Sequence, residues 1–92
     1  MRVKEKDLNL IKSTIKDHID DAKIYLFGSM LNDAKKGGDI DLFIITKKNV
    51  SYDTIAKIRY ILEENLLRPI DLIFHKDFNR YIEKEALKGV EI

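Results

Sequence analysis

The chain of 92 residues contains no cysteine, so it can build neither a disulfide nor a thiolate metal centre. That fits a reducing compartment, and the cytoplasm is the expected location. Net charge is also scarce. Seventeen basic residues against sixteen acidic ones leave a formal +1. Such a balance gives no general pull toward nucleic acid or a membrane surface, and direct nucleic-acid binding is not expected. No apolar run approaches the roughly 20 residues of a membrane span. The opening stretch, MRVKEKDLNLIK, is charged and amphipathic and does not read as a signal peptide. Repeats and low-complexity segments are missing too. What remains is a chain 45% hydrophobic and 36% charged, an ordinary globular balance. A single domain over residues 1–92 is expected, small enough to lean on a partner.

Periodicity orders the rest. Leu8, Ile11, Ile15 and Ile19 form one helical stripe and predict an amphipathic helix over 4–20. The apolar run KIYLF, residues 23–27, reads as a buried strand ending at Gly28. Ser29 can cap a short helical turn, SMLNDA, and the lysine and glycine pairs at 35–38 read as a loop. A second strand is predicted at 39–46. Ser51 is placed to cap a helix over 51–67, marked by Ile55, Ile58, Leu62 and Leu66, and the only proline, Pro69, ends it. IDLIF at 70–74 reads as a third strand. Asp77 can cap a last helix with Phe78, Tyr81, Ile82 and Leu87 as its apolar face and Gly89 as its stop. The expected fold is α/β, a small mixed three-stranded sheet with helices mainly on one face. The long helix between strands two and three suits a right-handed parallel crossover.

Strand alternation then places the acids. Asp39, Asp41, Phe43 and Ile45 share one face of the second strand, and Asp71 and Ile73 one face of the third. Ile40, Leu42 and Ile44, with Ile70, Leu72 and Phe74, form the opposite face, assigned to the helices. If the two strands are parallel neighbours, Asp39, Asp41 and Asp71 converge at one end. Two residues of strand separate Asp39 from Asp41 by about 6.5–7 Å. Three close carboxylates repel unless a cation or protons intervene. Oxygen donors without His or Cys favour Mg²⁺ or Mn²⁺ over zinc. Gly28 allows close backbone approach to a ligand, and the helical turn opened by Ser29 offers N–H groups to an anion. A phosphate cradle beside a divalent-cation site suits a nucleoside triphosphate. Apolar Phe43, Ile45 and Ile73 lie on this acid-bearing side, to be covered by the last helix or by a partner. His18, His75 and the Glu83–Lys84 pair read as surface groups, and Tyr52, Tyr60 and Tyr81 as packing.

Gly28-Ser29, nine residues, then Asp39-Ile40-Asp41 resembles the signature of the DNA polymerase β-like nucleotidyltransferases. The short chain and the later Asp71 are similar to its minimal members, the MNT proteins. The motif likeness covers roughly residues 24–74. It implies a palm-like fold, nucleotide binding at Gly28 and Ser29, and two Mg²⁺ ions, or Mn²⁺ in their place, on the catalytic carboxylates Asp39, Asp41 and Asp71. Lys35 and Lys36 are the nearest basic residues that could reach phosphates. The implied reaction is transfer of a nucleotide, AMP from ATP, to a hydroxyl. For MNT proteins the acceptor implied is a helical HEPN toxin, with the MNT chain as antitoxin. Many relatives carry arginines just after Gly-Ser, where this chain has Met30, Leu31 and Asn32. That departure supports an alternative, a catalytically weak or inactive module that neutralises a HEPN partner by contact.

Overall fold

The computed structural model describes residues 3–28 and 38–92. Helix α1 spans Glu5–His18, α2 Tyr52–Leu66 and α3 Tyr81–Ala86; the strands are β1 Lys23–Phe27, β2 Ile40–Ile45, β3 Ile70–Phe74 and β4 Val90–Glu91. They form one sheet in the order β3-β2-β1-β4. β2 and β3 are parallel, joined through α2, and β1 is antiparallel to both β2 and β4. The helical turn expected at 29–34 lies outside the described residues.

The helices follow their sequence signals. In α1, Ile11 and Ile15 are buried, as is Ile19 just beyond its end. Glu5 and Asp7 in the first turn and Lys16 and His18 in the last match the helix dipole. His18 is exposed, with Nδ1 2.8 Å from the Thr14 carbonyl. At the head of α2 the Ser51 hydroxyl accepts the Thr54 N–H at 3.1 Å. The helix stops at Leu67, two residues before the proline, in a left-handed conformation with φ 55°. A leucine there is strained and its side chain is exposed. Leu67→Gly is therefore expected to stabilise the fold by about 1 kcal/mol, read as a higher midpoint in thermal denaturation.

Both sheet faces are used. Ile24, Leu26, Ile40, Leu42 and Ile44 pack under α1 and α2, whose Ile11, Ile15, Ile58 and Leu62 fill the main core. On the acid-bearing face, Phe27 and Phe43 are covered by Ala86 of α3, with Tyr25, Ile45 and Ile73 around them. The last helix thus covers Phe43, while Ile45 and Ile73 remain half-buried.

Three expectations are corrected at the end of the chain. The sheet has four strands rather than three. Gly89 does not merely end a helix: a Cβ there would overlap the Leu26 carbonyl and lie 2.9 Å from Phe27 Cβ. Without one, the chain lies back along β1, pairing Val90 with Leu26 and Glu91 with Tyr25. Asp77 does not cap α3. Its Oδ1 accepts the Asn79 N–H at 2.8 Å and its carbonyl the Arg80 N–H at 2.9 Å, so it heads a turn. In the shortened helix Glu83 and Ala86 are buried, while Phe78, Tyr81, Ile82 and Leu87 are exposed. Tyr52 and Tyr60 on α2 are exposed as well, so the tyrosines at helical spacing do not pack. No described helix is long and apolar enough to cross a membrane.

Candidate active site

β1 ends where β2 begins, because the two are antiparallel with Phe27 opposite Asp41. β3 begins at the same end, because it is parallel to β2 with Asp71 directly opposite Asp41. Neighbouring strands lie about 4.8 Å apart, so these two carboxylates leave the sheet side by side on one face. Asp39 stands two residues earlier, just before β2. Asp39 and Asp71 are exposed and Asp41 is half-buried.

Gly28 completes this end. Its φ of 81° is one that side-chain-bearing residues rarely adopt. A Cβ at Gly28 would overlap Asp41 Oδ2 and lie 3.2 Å from its Cγ. The glycine thus brings backbone against the Asp41 carboxylate, as a close-approach role requires. Ser29, Lys35 and Lys36 lie outside the described residues.

The electrostatics single out Asp41. Burial pushes its carboxyl above the usual range; the charges of Asp71 and Asp39 add to that, as does a hydrogen bond shared with Asp71. None of these influences is a cation. Among the described residues no three His, Cys, Asp or Glu side chains stand close enough together to hold a metal ion, so Asp39, Asp41 and Asp71 share one end of the sheet but are more open than a formed metal site. Repulsion among carboxylates without a counter-charge favours such an opening. The all-oxygen donor set, with no cation acting on Asp41 among the described residues, fits a hard divalent cation of the Mg²⁺ type, which keeps coordination positions for phosphate oxygens and water.

One buried charge escaped the sequence reading. Glu83 is fully buried rather than solvated. Its Oε2 accepts the Lys76 and Asp77 N–H groups, each at 2.9 Å, and Arg80 Nε at 2.7 Å. Its Oε1 lies 2.6 Å from His75 Nδ1, and the His75 ring stacks on Phe78 with centroids 3.9 Å apart. His75 is therefore part of a side-chain network and not simply a surface group. Burial alone would raise the Glu83 carboxyl, but His75, the two N–H groups and Arg80 outweigh it and hold it down to about 2. The Arg80–Glu83 spacing of three on a helix was the available signal.

The parallel β2-α2-β3 unit and the antiparallel β1, with the acids at their common end, define a palm-like nucleotidyltransferase fold. The sequence matches the family described as Polymerase beta, Nucleotidyltransferase over residues 9–92, and the chain belongs to that family. Among solved structures it is similar to a toxin–antitoxin MntA-HpeT complex, at 20% identity and TM-score 0.74, over 92% of this chain and 69% of the other. It is also similar to a tri-AMPylated Shewanella oneidensis HEPN toxin in complex with MNT antitoxin. There the identity is 19% and the TM-score 0.75, over 95% of this chain and 69% of the other. The likeness to MNT proteins read in the sequence thus holds for the fold. The comparison with curated proteins finds no match.

Proposed function

We propose that the chain is an Mg²⁺-dependent nucleotidyltransferase that moves AMP from ATP to a hydroxyl of a helical HEPN protein, acting as its antitoxin. The observation that carries this reading is the packing of Asp41 between Asp71 and the Gly28 backbone, its carboxyl raised by burial and by two further carboxylates, with no cation acting on it among the described residues. The neighbour described as a tri-AMPylated HEPN toxin with an MNT antitoxin supports the acceptor class.

Asp39, Asp41 and Asp71 would hold the cation. Bound there, it would supply charge neutralisation at the α-phosphoryl group and at the departing pyrophosphate. The Gly28 backbone lets the triphosphate approach the carboxylates. The acceptor hydroxyl oxygen forms a bond to the α-phosphorus as the bond to pyrophosphate breaks. Asp71, which is exposed, would receive the hydroxyl proton.

The test uses ATP labelled at the α-phosphate, Mg²⁺, the chain and lysate of its own host. A labelled discrete polypeptide that disappears with Asp39→Asn/Asp41→Asn supports the reading. Capture of a HEPN partner with no label transferred favours neutralisation by contact, the reading suggested by Met30, Leu31 and Asn32 in place of arginines. Gly28→Ala probes the same site by a different route. It forces an unfavourable φ and drives a methyl group into Asp41. Transfer is expected to fall about 100-fold, with a lower melting midpoint.

A further inference from the structure

β3 forms one edge of the sheet, with β2 on one side only. Its parallel register, with Ile40 N–H donating to the Pro69 carbonyl and His75 N–H to the Ile44 carbonyl, each at 2.9 Å, sets which main-chain groups face β2. Those of Asp71 and Ile73 do. By alternation, those of Ile70, Leu72 and Phe74 face outward. Two outward groups are satisfied: Ile70 N–H donates to Glu63 Oε2 at 2.9 Å, and the Phe74 carbonyl accepts Arg80 Nη2 at 3.0 Å. Among the described residues nothing partners the N–H or carbonyl of Leu72 or the N–H of Phe74. Open edge groups of this kind are a template for another strand.

A groove of about 500 Å³ lies beside them, between β3, the loop after β2 and the first turn of α2. Val50, Ile55, Leu72 and Phe74 give it apolar walls. Lys48, His75, Lys76 and Arg80 also line it, and no carboxylate does. The positive end of the α2 dipole points the same way. Lys48 pairs with Asp20 at 2.5 Å on the surface, an exposed contact that costs little to exchange. Tyr52, 91% exposed, stands at the mouth. The groove is at the C-terminal ends of β2 and β3, the opposite end of the sheet from Asp41, and so is separate from the candidate active site.

We propose that this groove takes an extended acidic segment of a protein partner, which adds to β3 as a further strand. Its main chain bonds to Leu72 and Phe74, its alternate apolar side chains rest on the groove walls, and its carboxylates meet Lys48 and Lys76. Main-chain bonds provide the affinity and the basic rim the choice of segment. The inference does not rest on nucleotidyl transfer.

The probe is a short blocked peptide alternating valine with glutamate, added to the isotope-labelled full chain and followed by amide hydrogen exchange. Exchange at Leu72 and Phe74 is expected to slow about tenfold, with Asp71 and Ile73 unchanged. Lys48→Gln/Lys76→Gln is expected to weaken the peptide about tenfold, from two surface ion pairs. Leu72→Pro deletes the outward N–H and leaves the β2 ladder intact, since edge strands tolerate proline; it should abolish the protection. Should that variant misfold, the lysine substitutions still test the rim. The proposal is overturned if millimolar peptide leaves Leu72 and Phe74 unprotected. It is equally overturned if the lysine-for-glutamate peptide protects them as well, or if protection centres on another edge.

Discussion

Asp41→Asn is expected to lower label transfer roughly 10³-fold and, at the same time, to make the metal-free fold more stable. The two effects share one cause. Asp41 is half-buried, faces Asp71 across the β2–β3 ladder and lies close enough to Asp39 to feel its charge. With no cation among these influences, its ionised carboxylate is a local liability at neutral pH. Asparagine keeps the shape and removes the repulsion. A gain of about 1 kcal/mol should raise the midpoint of a domain this size by roughly 4–8 °C. Mg²⁺ separates the explanations further. It should raise the melting midpoint of the native chain, by binding the folded state, and should do so far less for the variant. A variant less stable than the native chain in chelator would refute the repulsion argument. One that retains transfer would remove Asp41 from the chemistry.

This trade-off explains why the candidate site could be proposed before the fold was known. A carboxylate at the head of an apolar strand contradicts burial, and such contradictions mark function. The bounds of β1 and β3 agree with the sequence reading because Gly28 and Pro69 punctuate short apolar runs. Pleat alternation and a parallel crossover then suffice to set Asp41 opposite Asp71. Other features depend on contacts that no local pattern encodes. β4 has two residues, too few for any period to show. The apolar stripe of Phe78, Tyr81, Ile82 and Leu87 promised the buried face, yet in the six-residue α3 only two side chains are buried. They are Ala86 and Glu83. The Arg80–Glu83 spacing hints at a pair but not at burial, because the other partners of Glu83, the His75 ring at a strand end and the turn backbone at Lys76 and Asp77, are assembled around it only by the fold.

Glu83→Ala is expected to be the most destabilising single change on the acid-bearing side, by about 3–5 kcal/mol. Four donors converge on this carboxylate: the His75 ring, the Lys76 and Asp77 N–H groups and Arg80. Removing it leaves the half-buried Lys76 and Asp77 N–H groups without this acceptor and Arg80 without its counter-charge. It also frees the turn that seats Ala86 over Phe43. Glu83→Gln should recover only part of the loss, since its amide sets two donors against donors. The melting midpoint of the alanine variant should drop by roughly 15 °C or more. Acid provides an independent reading. The folded carboxyl is held down to about 2 from an ordinary value of 4.5. A depressed folded value means that the stabilisation is present above about 4.5 and is lost as pH falls toward about 2. Denaturant midpoints measured from pH 6 to pH 2 should therefore fall through this window for the native chain and much less steeply for Glu83→Gln. Parallel curves for the two proteins would assign the acid sensitivity elsewhere and reduce Glu83 to a packing residue.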